Sequence, residues 1–130
     1  MKKKYEVGDI VFVSKYSYDG GEKGQNHLFV IIDVEDNQLV PVEYFGLIVS
    51  SHIEKAKETG KPIFKFNEKL NKNSKNNLNK DSIVKCDQIY QIPEKNIQFK
   101  IGQVDIDDYI RFMEAYNEFL STLSNSLAEI

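Results

Sequence analysis

Apolar residues along this chain recur with two different periods, which divide the sequence into a β part and a helical part. The runs Ile10–Val13 and His27–Val34 are rich in β-branched and aromatic residues, which is typical of buried strands. Similar runs predict further strands at Leu39–Ser50, broken near Gly46, at Lys61–Phe66, at Ser82–Ile92 and at Ile97–Val104. Because Pro62 lacks an N–H to pair, we expect the strand at 61–66 to lie at a sheet edge.

From Asp105 onward the pattern changes to that of a helix. The apolar residues are now spaced four, three, four, three and four apart, at Tyr109, Met113, Tyr116, Leu120, Leu123 and Leu127. This spacing predicts one apolar face of a helix of roughly five turns, which would cover the sheet or a partner subunit. Asp105 can cap its first N–H groups. The fold predicted is mostly β, a small curled barrel with a long C-terminal helix.

Three segments between these elements lack periodicity. Residues 16–26 contain three glycines and predict a long loop of the kind that is often functional. Ser51 or His52 is expected to open a short helical turn that ends at Lys57. Residues 67–81 are dominated by Lys and Asn, and we expect them to form a flexible loop.

Length and composition indicate one globular domain spanning residues 1–130, with 41% hydrophobic residues available for a core. The single cysteine, Cys86, excludes an internal disulfide. No signal peptide or apolar membrane span is recognisable, so we expect a soluble, cytoplasmic protein. The net charge is −3, yet residues 55–80 hold eight Lys and only two Glu. That local excess could attract phosphates, although a compositionally biased genome would give the same enrichment.

Lys85 and Asp87 are the first candidates for chemistry. Side chains alternate along a strand, so Ile83, Lys85 and Asp87 share one face while Val84 and Cys86 share the other. A carboxylate and an ammonium that project together can supply a general base and a phosphate-contacting cation, or they can be an ordinary surface ion pair. Cys86, on the opposite face, is expected to be a small core residue rather than a nucleophile.

Two hydroxyls and one imidazole are the other candidates. Ser50 and Ser51 stand where a strand ends, and they could bind a phosphate or simply cap a helical turn. His27, at the start of a strand, has an ordinary pKa of ~6.5 that suits proton transfer, although such a histidine can also just close a loop. The sequence contains no Walker loop, paired-Cys zinc spacing, H-E-x-x-H or G-x-S-x-G, and we predict no metal site and no cofactor.

The order of these features resembles the MazF/PemK family of toxin endoribonucleases over nearly the whole chain. The similar segments are the first strand Gly8–Val13, the Gly-rich loop before Val30–Ile32, Ser50-Ser51, Val84–Ile89 and Lys100–Gly102 before the terminal helix. The resemblance implies an SH3-like barrel that forms a homodimer. It also implies metal-independent, sequence-specific cleavage of single-stranded RNA, with the ribose 2′-OH as nucleophile, as an mRNA interferase.

The resemblance also implies roles for individual residues. Asp87 would be the general base, and Ser50 and Ser51 would hold the scissile phosphate. Lys85 would replace a family arginine beside the developing charge, and His27, near the position of a second arginine, could act as general acid.

Lys23 and Gln25, in the Gly-rich loop, would contact the substrate. The implied partners are single-stranded RNA and a cognate antitoxin, usually a small, acidic, partly disordered chain.

One departure from the family keeps other functions open. The only arginine, Arg111, falls in the predicted C-terminal helix, so no arginine is available at the family's catalytic positions. Lysine supplies charge without the planar fork that grips a phosphate. Either the site has been rewired, or cleavage has been lost. In the second case the chain is an RNA-binding module, a binder of a protein target as in the related CcdB toxins, or a non-toxic structural subunit.

Overall fold

The computed structural model describes residues 3–14, 26–37, 41–51 and 65–128. These residues form a six-stranded antiparallel sheet followed by one long helix. The elements are β1 (Asp9–Val13), β2 (His27–Glu35), β3 (Glu43–Ser50), β4 (Asn67–Leu70), β5 (Ser82–Pro93), a 3₁₀ turn (Glu94–Asn96), β6 (Ile97–Gln103) and α1 (Ile106–Ala128). The predicted mostly β architecture with a long C-terminal helix is confirmed.

The two edges of the sheet are bridged by one segment of the chain. The strand order is β4-β5-β3-β2-β1-β6, which leaves β4 and β6 at opposite edges. The segment that follows β4 crosses to β6, where the backbone N–H of Gln103 donates to the carbonyl of Lys75 at 3.1 Å. Gly102 permits this approach, since a Cβ there would lie 2.5 Å from the Asn76 carbonyl oxygen.

Both faces of the sheet bury apolar side chains, because successive residues of a strand point to opposite faces. On β1 and β2, Ile10 and Val30 join the core that packs under the helix, whereas Val11 and Ile31 join a second core on the other face. Phe112 is the helix residue at the centre of the first core, and it is fully buried.

The helix differs from its predicted apolar face in two ways. Tyr109, Met113 and Tyr116 pack against the first core as expected. Leu120 and Leu123, by contrast, remain 40% and 46% exposed. The prediction missed Phe112, which lies beside Tyr109 and Tyr116 on a broader buried face. The side chain of Leu127 lies outside the described residues.

The loop predicted at 67–81 is wrong for its first four residues, which form β4. Asn67 pairs with Lys85 of β5, and Leu70 is buried in the first core, so backbone pairing outweighs the polar composition of this segment. Residues 71–81 form no helix or strand, and they are linked by internal hydrogen bonds. The fully buried Asn76 donates its amide to the carbonyl of Asn71 at 2.8 Å.

Most other predicted boundaries agree with the structure. The third strand starts at Glu43 rather than at residue 39, and it continues through Gly46, although its pairing with β2 and β5 shifts register close to that glycine. Of the edge strand predicted at 61–66, residues 61–64 lie outside the described residues, and residues 65–66 form a turn that precedes β4. Residues 15–25 and 52–64, which include the Gly-rich loop and the predicted helical turn, lie outside the described residues.

Candidate functional site

The start of β2 and the end of β3 meet at one edge of the sheet. The two strands are antiparallel neighbours, with Leu28 opposite Val49, so His27 and Ser50 lie close to each other. Both line a cavity of about 680 Å³, and Ser51, directly after β3, lines it as well. The structure therefore brings together three of the residues that the sequence singled out.

His27 is held in a defined orientation. Its Nδ1 lies 3.1 Å from the carbonyl oxygen of Val49, which can only accept a hydrogen bond, so Nδ1 carries a proton. Burial lowers the pKa of His27; the hydrogen bond to Val49 opposes this, and the charge of Lys85 lowers the pKa further. The ring is consequently neutral near pH 7, the form in which a histidine can accept a proton.

Ser50 and Ser51 differ in exposure. Ser50 is partly buried as the last residue of β3, where it pairs with Ile83 of β5, while Ser51 is exposed. Two consecutive hydroxyls at a strand end, beside a neutral imidazole, form a polar corner that can hydrogen-bond to a phosphate.

Lys85 and Asp87 lie on β5 and do not line this cavity. Val84 and Cys86 are buried in the first core while Lys85 and Asp87 are partly exposed, so the predicted alternation holds here. Lys85 is near enough for its charge to lower the pKa of His27. No ion pair joins Lys85 to Asp87 within the part of the chain that the structure describes.

Asp87 stands in a wide bulge of β5. Val84 pairs with Val49 and Ile89 pairs with Leu47, so residues 85–88 lie opposite the single residue Ile48. One carboxylate oxygen, Oδ1, is buried without a hydrogen-bond partner among the described residues. An unsatisfied carboxylate oxygen is costly to bury.

The cavity is also lined by residues that sequence reasoning missed as site residues. Phe12 and Phe99 form an aromatic pair, and Asn77, Asn79 and Lys80 lie beside them. The two phenylalanines showed only the signal of strand residues, because their pairing depends on the register between β1 and β6. Lys80 belongs to the lysine-rich segment whose local charge the sequence had already indicated.

Two other residues have structural roles. Burial raises the pKa of the Cys86 thiol to about 12, which keeps it protonated and confirms it as a core residue rather than a nucleophile. Arg111 does not line the cavity. Its Nη2 donates to the carbonyl of Lys69 at 2.7 Å and to Oδ1 of Asp108 at 2.8 Å, which ties α1 to β4.

Some predictions fall outside what the structure describes. Lys23 and Gln25 belong to residues 15–25, so their part in the site is not seen. Within the described ranges, no group of three or more His, Cys, Asp or Glu side chains is placed to hold a metal ion. Within the same ranges, no helix is both long and apolar enough to cross a membrane.

Comparison with known proteins identifies one family. A family described as "PemK-like, MazF-like toxin of type II toxin-antitoxin system" matches residues 6–120. No curated protein matches the sequence significantly. A solved structure of Mycobacterium tuberculosis toxin MazF-mt6 superimposes with a TM-score of 0.62 at 15% identity, covering 87% of this chain and 96% of that one. A second, an endoribonuclease in complex with its cognate antitoxin from a mycobacterial species, gives 0.57 at 11%, covering 88% and 92%.

Proposed function

Because the chain belongs to the PemK-like, MazF-like toxins of type II toxin-antitoxin systems, we propose that it is an endoribonuclease that cuts single-stranded RNA in its cavity. The observation that carries the proposal is the convergence of His27, Ser50 and Ser51 on one cavity of about 680 Å³. One structural neighbour is described as an endoribonuclease. The imidazole and the hydroxyls supply groups that can move a proton and hold a phosphate.

In the proposed reaction the ribose 2′-oxygen attacks the adjacent phosphorus. The new P–O2′ bond forms as the P–O5′ bond breaks, which gives a 2′,3′-cyclic phosphate and a 5′-hydroxyl end. Ser50 and Ser51 hydrogen-bond to the phosphate, and Lys85 contributes positive charge from β5. The leaving 5′-oxygen takes its proton from solvent.

Two residues compete for the role of general base. The family resemblance assigns it to Asp87, with His27 as the acid. The geometry favours His27 as the base, because it lines the cavity whereas Asp87 does not. The lowered pKa of His27 supports this choice, since it keeps the ring in the proton-accepting form near neutral pH.

The experiment is cleavage of a varied set of single-stranded RNAs by the purified protein in EDTA. Metal-independent chemistry through the 2′-OH predicts fragments with cyclic phosphate ends, which mass spectrometry identifies. An oligonucleotide with a single 2′-deoxy nucleotide at the cleaved position is the matched control, and it should remain intact. Failure to cut any RNA, or cutting of the 2′-deoxy control at the same bond, would contradict the proposal.

Partners and location follow from the same proposal. A cognate antitoxin is expected to bind the toxin, as one does in a mycobacterial structural neighbour. A homodimer is supported by apolar side chains that remain exposed on α1, among them Ile110 and Leu123. We propose that the chain is a single domain. We also place it in the cytoplasm, because its RNA substrate would be there. Light scattering of the purified protein tests the dimer directly.

A second candidate function is a binding module of the same fold that no longer cuts. The observation in its favour is that the only arginine, Arg111, contacts Asp108 and β4 rather than the cavity. Such a protein would hold RNA, or a protein target as CcdB-type toxins do. Growth arrest on expression that survives both His27→Asn and Asp87→Asn would favour this function over cleavage.

A further inference from the structure

The aromatic pair in the cavity wall has one open face. The rings of Phe12 and Phe99 are parallel within 9°, with centroids 5.1 Å apart, as expected for cross-strand partners of β1 and β6. Phe12 covers one side of the Phe99 ring, yet Phe99 remains 51% exposed. Exposing so much of a phenylalanine is unfavourable, and here the exposed ring borders a cavity rather than open surface.

We propose that this wall is a nucleobase subsite, in which one base of a single-stranded RNA stacks on Phe99 and is read by the side chain of Asn79. The inference rests on the proposed function and adds to it the residues that select the substrate. Stacking on an aromatic ring is the general way in which proteins hold unpaired bases.

The polar half of the subsite is held rigidly. Asn77 lies next to β6, the strand that contains Phe99, and the Asn77 side-chain amide donates to the carbonyl of Ile101 at 2.8 Å. Behind it, Oδ1 of the buried Asn76 accepts hydrogen bonds from the backbone N–H groups of Asn73 and Leu78. These bonds fix the backbone that carries Asn79 and Lys80, so their positions are set before any ligand arrives.

Asn79 and Lys80 are the groups left available on this rigid backbone. Within the described residues, neither side chain makes a hydrogen bond or ion pair, and both line the cavity. An Asn amide presents a donor and an acceptor side by side, which can pair with one edge of a base. The Lys80 ammonium can neutralise the phosphate of the same nucleotide.

A nucleotide fits this wall better than a peptide segment does. A peptide anchor would need an enclosed apolar pocket, whereas this wall combines one flat ring, an amide with no partner among the described residues, and a cation. His27, Ser50 and Ser51, the groups suited to a phosphodiester, line the same cavity. A base on Phe99 would therefore belong to the same strand whose phosphate lies at those hydroxyls.

The chain contains no tryptophan, so Phe99→Trp places a single fluorescent indole in the subsite. A titration with 2′-O-methyl oligonucleotides, which cannot be cut through the 2′-OH, should quench this fluorescence on binding. Phe99→Ala should weaken binding of the same oligonucleotides about ten-fold. Phe99→Tyr, which keeps an aromatic ring, should bind them like wild type. Val7→Ala, at a similarly exposed apolar residue before β1 and outside the cavity, is the matched control and should bind like wild type.

Base selection is tested with Asn79→Leu, which keeps the side-chain size but removes both hydrogen-bonding groups. In a set of oligonucleotides that vary at one position, the wild type should bind one base more tightly than the others. Asn79→Leu should reduce this ratio of affinities by about five-fold or more. Circular dichroism confirms that these exposed substitutions leave the fold intact.

The outcomes separate this inference from the proposed function. If the wild type cuts RNA while Phe99→Ala binds and cuts normally, the subsite is wrong and the nuclease assignment stands. If the wild type binds RNA through Phe99 but does not cut, the subsite stands and the nuclease assignment fails. If the oligonucleotides do not bind, or if Phe99→Ala impairs only binding of an antitoxin peptide, the wall is not a nucleobase subsite.

Discussion

The cavity and the contact between α1 and β4 use their charged groups in opposite ways. At the helix contact, the Arg111 guanidinium meets the Asp108 carboxylate and the Lys69 carbonyl, and it lies over the Phe112 ring with its carbon 5.2 Å from the ring centroid. At the cavity, the Lys80 side chain makes no ion pair among the described residues.

The difference shows which region is built for stability and which is built for a ligand. Groups that are satisfied within the chain have little left to offer another molecule, whereas unsatisfied polar groups around a cavity are suited to binding. The presence of Arg111 in the sequence is therefore no sign of a catalytic arginine, because the fold places it at the stabilising contact between α1 and β4. The following substitutions test this division.

The largest effect is expected at the cavity, from His27→Asn. The Asn amide can still donate to the Val49 carbonyl, but it cannot take a proton, so cleavage should fall by roughly 10²- to 10⁴-fold. Initial rates on a fluorescent RNA measure the loss. Asp87→Asn is the matched comparison and should retain more activity. A larger loss of cleavage for Asp87→Asn than for His27→Asn would instead identify Asp87 as the general base.

The next largest effect is expected for Asn76→Ala, beneath the cavity wall. The substitution removes a buried side chain that makes three hydrogen bonds, to Asn71, Asn73 and Leu78, and it leaves two backbone N–H groups without a partner. The free energy of unfolding should drop by about 3 kcal/mol, as measured by urea denaturation. Asn79→Ala, an exposed change in the same segment, should leave stability unchanged. Equal effects would mean that the segment is not anchored through Asn76.

A smaller effect, limited to stability, is expected for Arg111→Gln. The bonds to Lys69 and Asp108 are lost in a region with solvent access, so the cost should be about 1 kcal/mol. The cleavage rate of the folded variant should stay within about two-fold of wild type, because Arg111 does not line the cavity. Lys69→Gln removes an exposed charge but keeps the backbone carbonyl, and it serves as the control. A large loss of cleavage in folded Arg111→Gln would contradict the division of roles.

The smallest effect concerns pH. The pKa of His27 is lowered in the folded protein by burial, so the unfolded chain binds a proton first as the pH falls below ~6.5. His27 therefore favours folding above that pH, and this contribution is lost as the pH falls through the folded pKa. Urea midpoints between pH 5 and 8 should decline less steeply in acid for His27→Asn than for wild type.

The same titration should appear in catalysis. If His27 is the base, kcat/KM should rise with pH through an apparent pKa below 6.5 and stay level near neutral pH. A rate that falls over this range as the pH rises would instead indicate that His27 acts as an acid.

Hydrophobic periodicity predicted most of the fold, because the strands and the helix bury apolar residues with regular spacing. Periodicity did not predict β4, because the strand Asn67–Leu70 contains a single apolar residue. This strand is recognised by its backbone pairing with β5. At residues 71–81 periodicity gave no sign of the hydrogen bonds that Asn76 makes. Neither kind of stabilisation leaves a periodic pattern in the sequence.

The site was predictable only in part. His27, Ser50 and Ser51 stand at strand ends, where local sequence already marks them as candidates. Phe99 and Asn79 reach the same cavity through the register of β6 and through the crossing from β4, which depend on contacts between distant parts of the chain. Such contacts cannot be read from spacing along one sequence.

The most direct measurement of which region receives RNA is photocrosslinking. A 2′-O-methyl oligonucleotide carrying 4-thiouridine is irradiated with the wild-type protein, and the crosslinked peptides are mapped by mass spectrometry. We predict crosslinks on the peptides that contain His27, Ser51 and Phe99, and their loss in competition with unlabelled RNA. Crosslinks confined to α1 around Arg111, with none at the cavity, would contradict the central claim.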